Sequence, residues 1–343
     1  MNSFGENLKI TVFGEPYGPM VGMVLDGLPA GIEIDEEFIA SELHRRDPGV
    51  SELGSERDEA GDPVIASGVF QGKTTGAPIV AMLRNNETED SNYIRSLPRP
   101  GHADLTSYLK YGGFGDHRGG GPFSGRVMAP VVLAGAICRS VLAQQGVVIA
   151  AKIVQVGKAR GDGLTVQMKK EILDARASGD SVGSVVECAA AGVPAGLGGM
   201  MFGGMEPRVA AMLFAVPGVR GVEFGAGFEI AEMRGSQAND AIRLGEEGGL
   251  FTETNHSGGL NGGITNGMPL VVRCAFRPTP SIAREQRTVD IEKRENVTMR
   301  VRGRHDPCIA PRAIPIIEAC VAFCLLDAVY DHEAHVERRA DDA

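Results

Sequence analysis

The longest apolar run of the chain, MAPVVLAGAICRSVLAQQGVVIAAK at residues 128–152, determines which fold class the sequence can adopt. Arg139 and two adjacent glutamines interrupt this run, so its pattern is not that of a membrane span. The run instead predicts a buried helix over about residues 125–145, followed directly by a strand. A buried helix joined to a strand indicates a core that mixes the two kinds of element.

Strand-like segments lie on both sides of that run. LKITVFG at residues 8–14 and MVLDGLPAGIEI at residues 23–34 predict two N-terminal strands that pair through a glycine-rich bend. Asp35 is the predicted N-cap of the next helix, whose first turn is acidic and whose last turn carries two arginines. Near the C-terminus, residues 311–332 predict one long, mostly buried helix.

The order of these elements argues against a Rossmann-type nucleotide-binding domain. The strands are scattered among a few long helices, without a regular strand–helix alternation and without a GxGxxG motif after the first strand. We therefore predict the α+β class, with residues 1–331 as a single domain. Residues 332–343 are rich in charge, and we expect them to form a disordered tail.

Charge and cysteine content argue against several classes of function. The formal net charge of −10 over 343 residues argues against nucleic acid as the main partner. The six cysteines are scattered without a CxxC pair, so the sequence offers no zinc-site spacing and predicts no metal. Since the chain also opens without a charged-then-apolar leader, we expect a reduced, cytoplasmic protein with no membrane partner.

Residues with useful chemistry concentrate in RPGHADLTSYLKYGGFGDHRGGGPFSGR, residues 99–126. Glycines lack a Cβ and let backbone N–H groups approach an anion, while arginines supply a planar fork that matches phosphate or carboxylate oxygens. His102, which follows a Pro–Gly turn, is a candidate proton carrier near neutral pH. The stretch indicates an active site that handles an anion.

Three further segments carry candidate groups. In GRHDPCIAPRA, residues 303–313, an arginine stands near a helix N-terminus, and either His305 or Asp306 is a candidate acid or base. GGLNGGITNG at residues 258–267 leads into a strand and then into RPTPSI at residues 277–282. These two segments bind a phosphate or the edge of a ring, or the first is a plain hairpin loop. FGEPYG at residues 13–18 is a plain turn or a functional turn that presents Glu15 and Tyr17.

Taken in order, these motifs resemble those of the chorismate synthases, and the resemblance covers residues 13–331. The matching segments are FGE at Phe13, DGLPAGI at Asp26, LHRR at Leu43, SGVFQGKTTGAPI at Ser67, RPGHAD at Arg99, RGGG at Arg118, GVPAGLG at Gly192, RGSQ at Arg234, GGITNG at Gly262, RPTPSI at Arg277 and GRHDPCIAPRAIPIIEA at Gly303.

The resemblance implies a β-α-β sandwich of antiparallel sheets around central helices, assembled as a homotetramer. It implies a carbon–oxygen lyase that removes phosphate from 5-enolpyruvylshikimate 3-phosphate by anti-1,4-elimination. The product, chorismate, belongs to the shikimate pathway and leads to aromatic amino acids. Reduced FMN is the implied cofactor, although the reaction has no net redox change, and NADP is an implied nicotinamide partner.

Site roles follow from the same resemblance, residue by residue. His102 falls on a catalytic histidine that manages a proton of the reduced flavin, Asp306 on an aspartate that assists deprotonation there, and Tyr17 on a second catalytic histidine. The implied flavin-binding positions are Ser124, Gln237, Ala238, Gly262, Arg277, Pro278, Thr279, Pro280, Ser281 and Arg304. The candidate substrate or anion ligands are Arg45, Arg46, Arg118 and Arg126, of which Arg46 falls on a position for substrate or reduced nicotinamide.

Seven residues depart from the family pattern: Tyr17, Asp47, Glu52, Pro122, Phe123, Val127 and Met128. Asp47 and Glu52 stand where positive charges are expected. Since a phenol has a reference pKa of about 10 and an imidazolium of about 6.5, a tyrosine donates a proton less readily by about 4.8 kcal/mol. The departures concentrate at the phosphate and substrate end of the expected pocket.

These departures leave three hypotheses open. The first is an authentic chorismate synthase. The second is a paralogue that acts on a different, less anionic cyclohexene carboxylate by flavin-dependent elimination or isomerisation. The third is a flavin-binding pseudoenzyme.

Overall fold

The structure is a computed structural model and describes residues 2–47, 49, 53–54, 63–86, 93–246, 248–301, 303 and 305–341. Its strands, in chain order, are β1 (Ser3–Phe4), β2 (Lys9–Gly14), β3 (Met20–Asp26), β4 (Val64–Ser67), β5 (Val69–Phe70), β6 (Lys73–Thr74), β7 (Ile79–Arg84), β8 (Val148–Val156), β9 (Ala159–Arg160), β10 (Ser184–Ala191), β11 (Val219–Phe224), β12 (Ile242–Leu244), β13 (Leu250–Thr252), β14 (Leu260–Asn261), β15 (Ile264–Thr265), β16 (Leu270–Phe276), β17 (Gln286–Asp290) and β18 (Glu295–Met299). Its helices are α1 (Glu36–Arg46), α2 (Asp104–Tyr111), α3 (Ala129–Gln144), α4 (Val166–Ala177), α5 (Met205–Phe214), α6 (Gly235–Ala238) and α7 (Ala310–Asp341).

Two antiparallel sheets of five strands form the frame. The first sheet has the order β1-β2-β3-β7-β4 and the second has the order β11-β16-β10-β8-β9. Along β10 and β16 the side chains alternate between buried and half-buried, so each strand turns one face towards the core. The α+β class and the antiparallel sheets expected from the sequence are both confirmed.

The central helices α3 and α7 lie between the two sheets. Helix α3 packs against β3 and β7 of the first sheet, whereas α7 packs against β8 and β10 of the second. The two helices approach closely where Gly135 faces Ala319, since a Cβ on Gly135 would overlap Ala319. This close crossing explains why both helices are apolar on nearly every side.

Two buried carboxylates on α7, Asp327 and Glu318, each accept backbone hydrogen bonds at one of the two sheets. Asp327 accepts backbone hydrogen bonds from Asn7 and Leu8, both at 2.8 Å, in the turn between β1 and β2. Glu318 accepts the backbone N–H of Ala151 in β8, also at 2.8 Å. The helix therefore fixes the position of both sheets through polar contacts as well as through apolar packing.

Two helical segments, Gly125–Gln144 and Ala310–Ala334, are long and apolar enough to cross a membrane by length and composition alone. Within the most apolar window of each segment, 72% and 89% of the residues respectively are buried inside the fold. Their place between the two sheets accounts for this composition, as the pattern of residues 128–152 predicts.

The structure differs from the sequence predictions at three places. Strand β3 ends at Asp26, because Gly27 has a φ of +102° and the chain turns there instead of continuing to residue 34. The short helix α2 has no counterpart among the predicted elements. Helix α7 continues to Asp341, so the backbone of residues 332–341 is helical where a disordered tail is predicted. Extending a helix that is already formed requires no new nucleation.

Candidate active site

The described residues surround a cavity of about 590 Å³, a volume typical of sites for cofactors and small molecules, which span roughly 300–1,000 Å³. Its wall comes from five segments, within residues 99–106, 119–128, 214–220, 276–281 and 305–316, together with Arg46 and Tyr93. The predicted site residues on this wall are His102, Asp306, Ser124, Arg277, Thr279, Pro280, Ser281, Arg46 and Arg126.

His102 is held by two charged neighbours from its own loop. Its Nδ1 atom lies 2.6 Å from Oδ1 of Asp104, the first residue of α2. Arg99 donates to the same carboxylate from Nε at 2.7 Å and from Nη2 at 2.8 Å. Burial alone would raise the pKa of Asp104, but the hydrogen bonds from Arg99 and His102 outweigh it and hold that pKa well below its usual value.

The triple glycine allows the chain to pass between His102 and Tyr17. A Cβ on Gly120 would lie 2.6 Å from Cε1 of His102, and a Cβ on Gly119 would overlap the ring of Tyr17. Both glycines have positive φ, +92° at Gly120 and +59° at Gly119. The run GGG is therefore required by close packing against two candidate catalytic side chains.

Tyr17 is buried and does not itself line the cavity. Its ring contacts Arg126, which does line the cavity, with the guanidinium carbon 4.9 Å from the ring centroid and Nη2 3.5 Å from the phenolic oxygen. The guanidinium of Arg118 lies 6.0 Å from the same centroid, and the ring of Tyr93 packs edge-on at 6.1 Å. Tyr17 thus packs against the guanidinium of a candidate anion ligand.

Asp306 belongs to a second polar network at the start of α7. Arg312 donates from Nη1 to Oδ2 of Asp306 at 2.7 Å and from Nε to the backbone oxygen of Arg46 at 3.2 Å. Arg46 in turn donates from Nη2 to the backbone oxygens of Gly125 at 3.1 Å and Arg126 at 3.2 Å. The network joins the end of α1, the turn before α3 and the start of α7 around one side of the cavity.

The segment Arg277–Ser281 combines polar groups with apolar surroundings. Arg277 donates from Nη1 to the backbone oxygen of Gly101, while its buried Nε atom has no hydrogen-bond partner among the described residues. Apolar side chains complete this part of the wall, namely Phe214, Val216, Pro217, Phe276, Ile309 and Ile316. An unsatisfied buried donor beside an apolar wall fits a ligand that has a flat ring and an anionic group.

Two of the four candidate anion ligands lie elsewhere. Arg45 donates from Nη1 to Glu42 and Glu318, both at 2.8 Å, in a network that also contains Arg139. Burial alone would lower the pKa of Arg45, but its bonds to the two carboxylates reverse the effect and raise it. Arg118 pairs with Asp116 at 2.8 Å, and neither Arg45 nor Arg118 lines the cavity.

Several predicted flavin positions also lie away from the cavity wall. Gln237 and Gly262 are exposed, Ala238 is half-buried, and none of the three lines the cavity. Pro278 belongs to the segment that does line it but is not itself on the wall. Arg304 and Glu52 lie outside the described residues.

Tyr93 and Arg312 are functional candidates that the sequence predictions missed. Tyr93 lies on the cavity wall and its ring is 4.8 Å from the guanidinium carbon of Arg99. No local pattern marks it. Arg312 stands in the first turn of α7, six residues after Asp306, and that position beside a candidate acid is a usable signal.

Comparison with known proteins agrees with this geometry. The family model described as chorismate synthase matches residues 8–330. Chorismate synthase from Thermococcus kodakarensis is 45% identical over 342 residues, which cover 94% of this chain and 96% of the relative. Chorismate synthase from Methanothermobacter thermautotrophicus is 43% identical over 349 residues, which cover 95% and 93% respectively.

A solved structure shares the fold as well. The structure titled "Crystal Structure of Chorismate Synthase" superimposes with a TM-score of 0.75 and is 27% identical, covering 96% of this chain and 93% of its own. The sequence match therefore extends over the same two sheets and central helices that build the cavity around His102. The chain belongs to the chorismate synthase family.

Proposed function

We propose that the protein is a carbon–oxygen lyase that eliminates phosphate from 5-enolpyruvylshikimate 3-phosphate to give chorismate, with reduced FMN in the cavity beside His102. The family match over residues 8–330 supports the lyase activity. The observation that carries the assignment of the site is that His102, Asp306 and the segment Arg277–Ser281 share the wall of one cavity.

The cavity residues fit a flavin with a phosphate tail. Arg277, with its unsatisfied buried Nε, together with Ser124 and Ser281 would hold the cofactor. Reduced flavin supplies electron density that stabilises an electron-poor substrate as its phosphate leaves.

Arg46 and Arg126 orient the anionic substrate from the other polar part of the wall. Arg46 is 3% exposed and its guanidinium is held by two backbone oxygens, so it keeps a fixed direction. Such prepositioned charges stabilise negative charge that grows on a leaving phosphate. Tyr17 keeps Arg126 in place and contributes orientation, because a phenol is a weak proton donor at neutral pH.

His102 and Asp306 hold the protons of the reaction. Each is fixed by an arginine, Arg99 for the loop of His102 and Arg312 for Asp306. A general acid or base acts efficiently when its side chain keeps one orientation. The two groups are therefore well placed to take a proton from the cofactor–substrate complex and to hold it.

The same proposal includes a homotetramer. Gln237, Ala238 and Gly262 lie outside the cavity of their own chain, so we propose that they reach the cavity of a neighbouring copy. The hairpin that follows α6 exposes Ile242 and Leu250 by 70% and 72%, which offers apolar surface for such an assembly. Light scattering and sedimentation should give four copies per particle, and a monomer that binds FMN tightly would contradict the shared site.

A cytoplasmic location and reduced nicotinamide as the electron source complete the proposal. The family suggests both, and the six cysteines, all free and buried, support only the cytoplasmic location. Flavin that stays oxidised when the protein is given reduced nicotinamide alone would assign the reduction to another protein.

The experiment that tests the lyase is an anaerobic assay with photoreduced FMN and 5-enolpyruvylshikimate 3-phosphate. Equal amounts of inorganic phosphate and chorismate are expected, and His102→Gln should lower both together. Tight binding of FMN without release of phosphate would contradict the proposed reaction.

A second candidate, a paralogue for a less anionic cyclohexene carboxylate, is favoured by one observation. Pro122 and Phe123 line the cavity beside Arg126, where the family pattern has polar groups. The same anaerobic assay with unphosphorylated cyclohexene acids distinguishes it, because turnover of those acids without turnover of the phosphate ester would favour the paralogue. Binding without any turnover would favour the pseudoenzyme.

A further inference from the structure

The loop that carries His102 is fixed by several side-chain hydrogen bonds and ion pairs. Side-chain exposure is 5% for Arg99, 14% for His102 and 16% for Asp104, so the three groups form a nearly buried cluster. Each charged side chain in it has a partner from the cluster or from the segment Arg277–Ser281.

Asp104 has both carboxylate oxygens occupied. Oδ2 accepts from Nε of Arg99 at 2.7 Å and from the backbone N–H of Arg99 at 3.0 Å. Oδ1 accepts from Nη2 of Arg99 at 2.8 Å and faces Nδ1 of His102 at 2.6 Å. Asp104 also opens α2, where the helix dipole favours a negative charge. The carboxylate is therefore an acceptor only.

This arrangement selects one tautomer of the histidine. An ionised carboxylate cannot donate, so the short contact with Asp104 requires the hydrogen on Nδ1 of His102. Nη2 of Arg99 lies near both ring nitrogens, 3.1 Å from Nδ1 and 3.3 Å from Nε2, so this contact does not distinguish the tautomers. The contact with Asp104 does: with the hydrogen on Nδ1, the lone pair of the neutral ring is on Nε2, which leaves that atom to exchange a proton.

The same cluster is joined to the segment expected to hold flavin. Arg99 donates from Nη1 to the hydroxyl oxygen of Ser281 at 3.0 Å, and Arg277 donates to the backbone oxygen of Gly101. The loop 99–104 and the segment Arg277–Ser281 therefore support each other across 182 residues of sequence, the separation between Arg99 and Ser281. We therefore expect a substitution of Asp104 to affect both the loop 99–104 and the segment Arg277–Ser281.

We propose that Asp104 is a positioning residue that fixes His102 as the Nδ1–H tautomer, so that the lone pair of Nε2 exchanges the proton at the cavity. Arg99 keeps the carboxylate charged and oriented. The proposal rests on the proposed function only in that the reaction uses His102, since the tautomer itself is a property of the protein alone.

The first test reads the tautomer directly and needs no turnover. Imidazole ¹⁵N chemical shifts are recorded on histidine-labelled protein, and the signals of His102 are assigned with His102→Gln. We expect a protonated Nδ1 and an unprotonated Nε2. Asp104→Asn should shift both signals towards the opposite tautomer or a mixture. Signals of His102 that are the same in both proteins overturn the proposal.

The second test separates positioning from stability. Asp104→Asn should lower kcat by about 10²- to 10⁴-fold, the usual contribution of a placed acid or base, while KM changes by less than about threefold. Asp104→Glu should recover part of kcat because it restores an acceptor for Nδ1. Asp327→Asn is the matched control, since it alters a buried carboxylate with backbone partners away from the cavity.

We expect Asp327→Asn to lower the melting temperature with little change in kcat. If Asp104→Asn behaves in the same way, Asp104 has a structural role only and the proposal is overturned. If the wild-type protein releases no phosphate from its substrate, the proposed function fails, whereas the ¹⁵N measurement still decides whether Asp104 sets the tautomer.

Discussion

The guanidinium of Arg126 lies over the ring of Tyr17, 4.9 Å from its centroid, and the two side chains also meet at 3.5 Å through Nη2 and the phenolic oxygen. Tyr17 is 9% exposed, so this contact is largely shielded from water. A cation over an aromatic face gains about 0.5–1 kcal/mol when exposed and about 2 kcal/mol or more when desolvated. The pair makes Tyr17 a support for Arg126.

Tyr17→Phe should therefore leave kcat for phosphate elimination within about threefold of the wild-type value, because phenylalanine keeps the aromatic face under Arg126. Tyr17→Leu should raise KM for the anionic substrate by up to about tenfold, because Arg126 loses the aromatic face that supports it. Steady-state assays of both variants check the pair. Loss of turnover in Tyr17→Phe would mean that the phenol itself donates the proton.

Gly120→Ala should displace His102, because the new Cβ would lie 2.6 Å from Cε1 of that ring. We expect kcat to fall by at least about tenfold along with the free energy of unfolding. Gly163→Ala is the matched control: its φ of +86° is close to the +92° of Gly120, but a Cβ there meets no atom within 4 Å. Each substitution carries a backbone cost of about 1–2 kcal/mol.

Only Gly120→Ala adds the contact with His102. Equal kcat values for Gly120→Ala and Gly163→Ala, measured beside urea unfolding curves, would show that the glycine serves backbone conformation alone.

Arg45 and Arg46 should respond differently to the same substitution. Arg45→Met removes a partner of Glu42 and Glu318 and should lower the free energy of unfolding by about 1–3 kcal/mol, with KM unchanged. Arg46→Met removes a cation from the cavity wall and should raise KM for the anionic substrate by about tenfold or more. Arg46→Lys keeps the charge, so its KM for the anionic substrate should lie between those of the wild type and Arg46→Met. A raised KM in Arg45→Met would contradict the network seen for Arg45.

Ionisation of Asp240 should make the free energy of unfolding depend on pH in the acidic range. Burial would raise the pKa of its carboxyl, but hydrogen bonds from Thr254, Ser257 and His256 lower it to about 2. Since the pKa in the folded protein is below the usual value of about 3.9, the stabilisation is present above about pH 4 and is lost as pH falls towards 2. Urea midpoints for the wild type and Asp240→Asn should differ at pH 6 and converge near pH 2. A constant difference across that range would exclude ionisation of Asp240 as the cause.

Helix ends with local caps were predictable from the sequence. Asp35 accepts the backbone N–H of Phe38 at 2.8 Å, and Thr165 accepts that of Met168 at 3.3 Å, each within three residues. The central helix and the strand after it were also predictable, because a long and mostly apolar run has few alternatives. Helix α2 was missed although Leu105, Tyr108 and Leu109 recur at helical spacing, because its eight residues make only about two turns and so give a short signal.

The candidate site was predictable in its members but not in their contacts. His102, Asp306 and the segment Arg277–Ser281 stand in contiguous motifs, which a sequence displays directly. The contact of Tyr17 with Arg126 joins residues 109 positions apart, and that of Arg99 with Ser281 joins residues 182 positions apart. Pairs of that kind depend on sheet register and helix packing, neither of which a local pattern contains.

The sequence by itself determined the family, the α+β class and the group of residues that can form the site, because these depend on short motifs and on local periodicity. Only the tertiary structure decided which of those residues meet. Arg45 and Arg46 are adjacent and chemically identical, yet one pairs with Glu318 and the other lines the cavity. Successive residues of a helix point about 100° apart, so the packing of α1 against α3 and α7 assigns each arginine its partner.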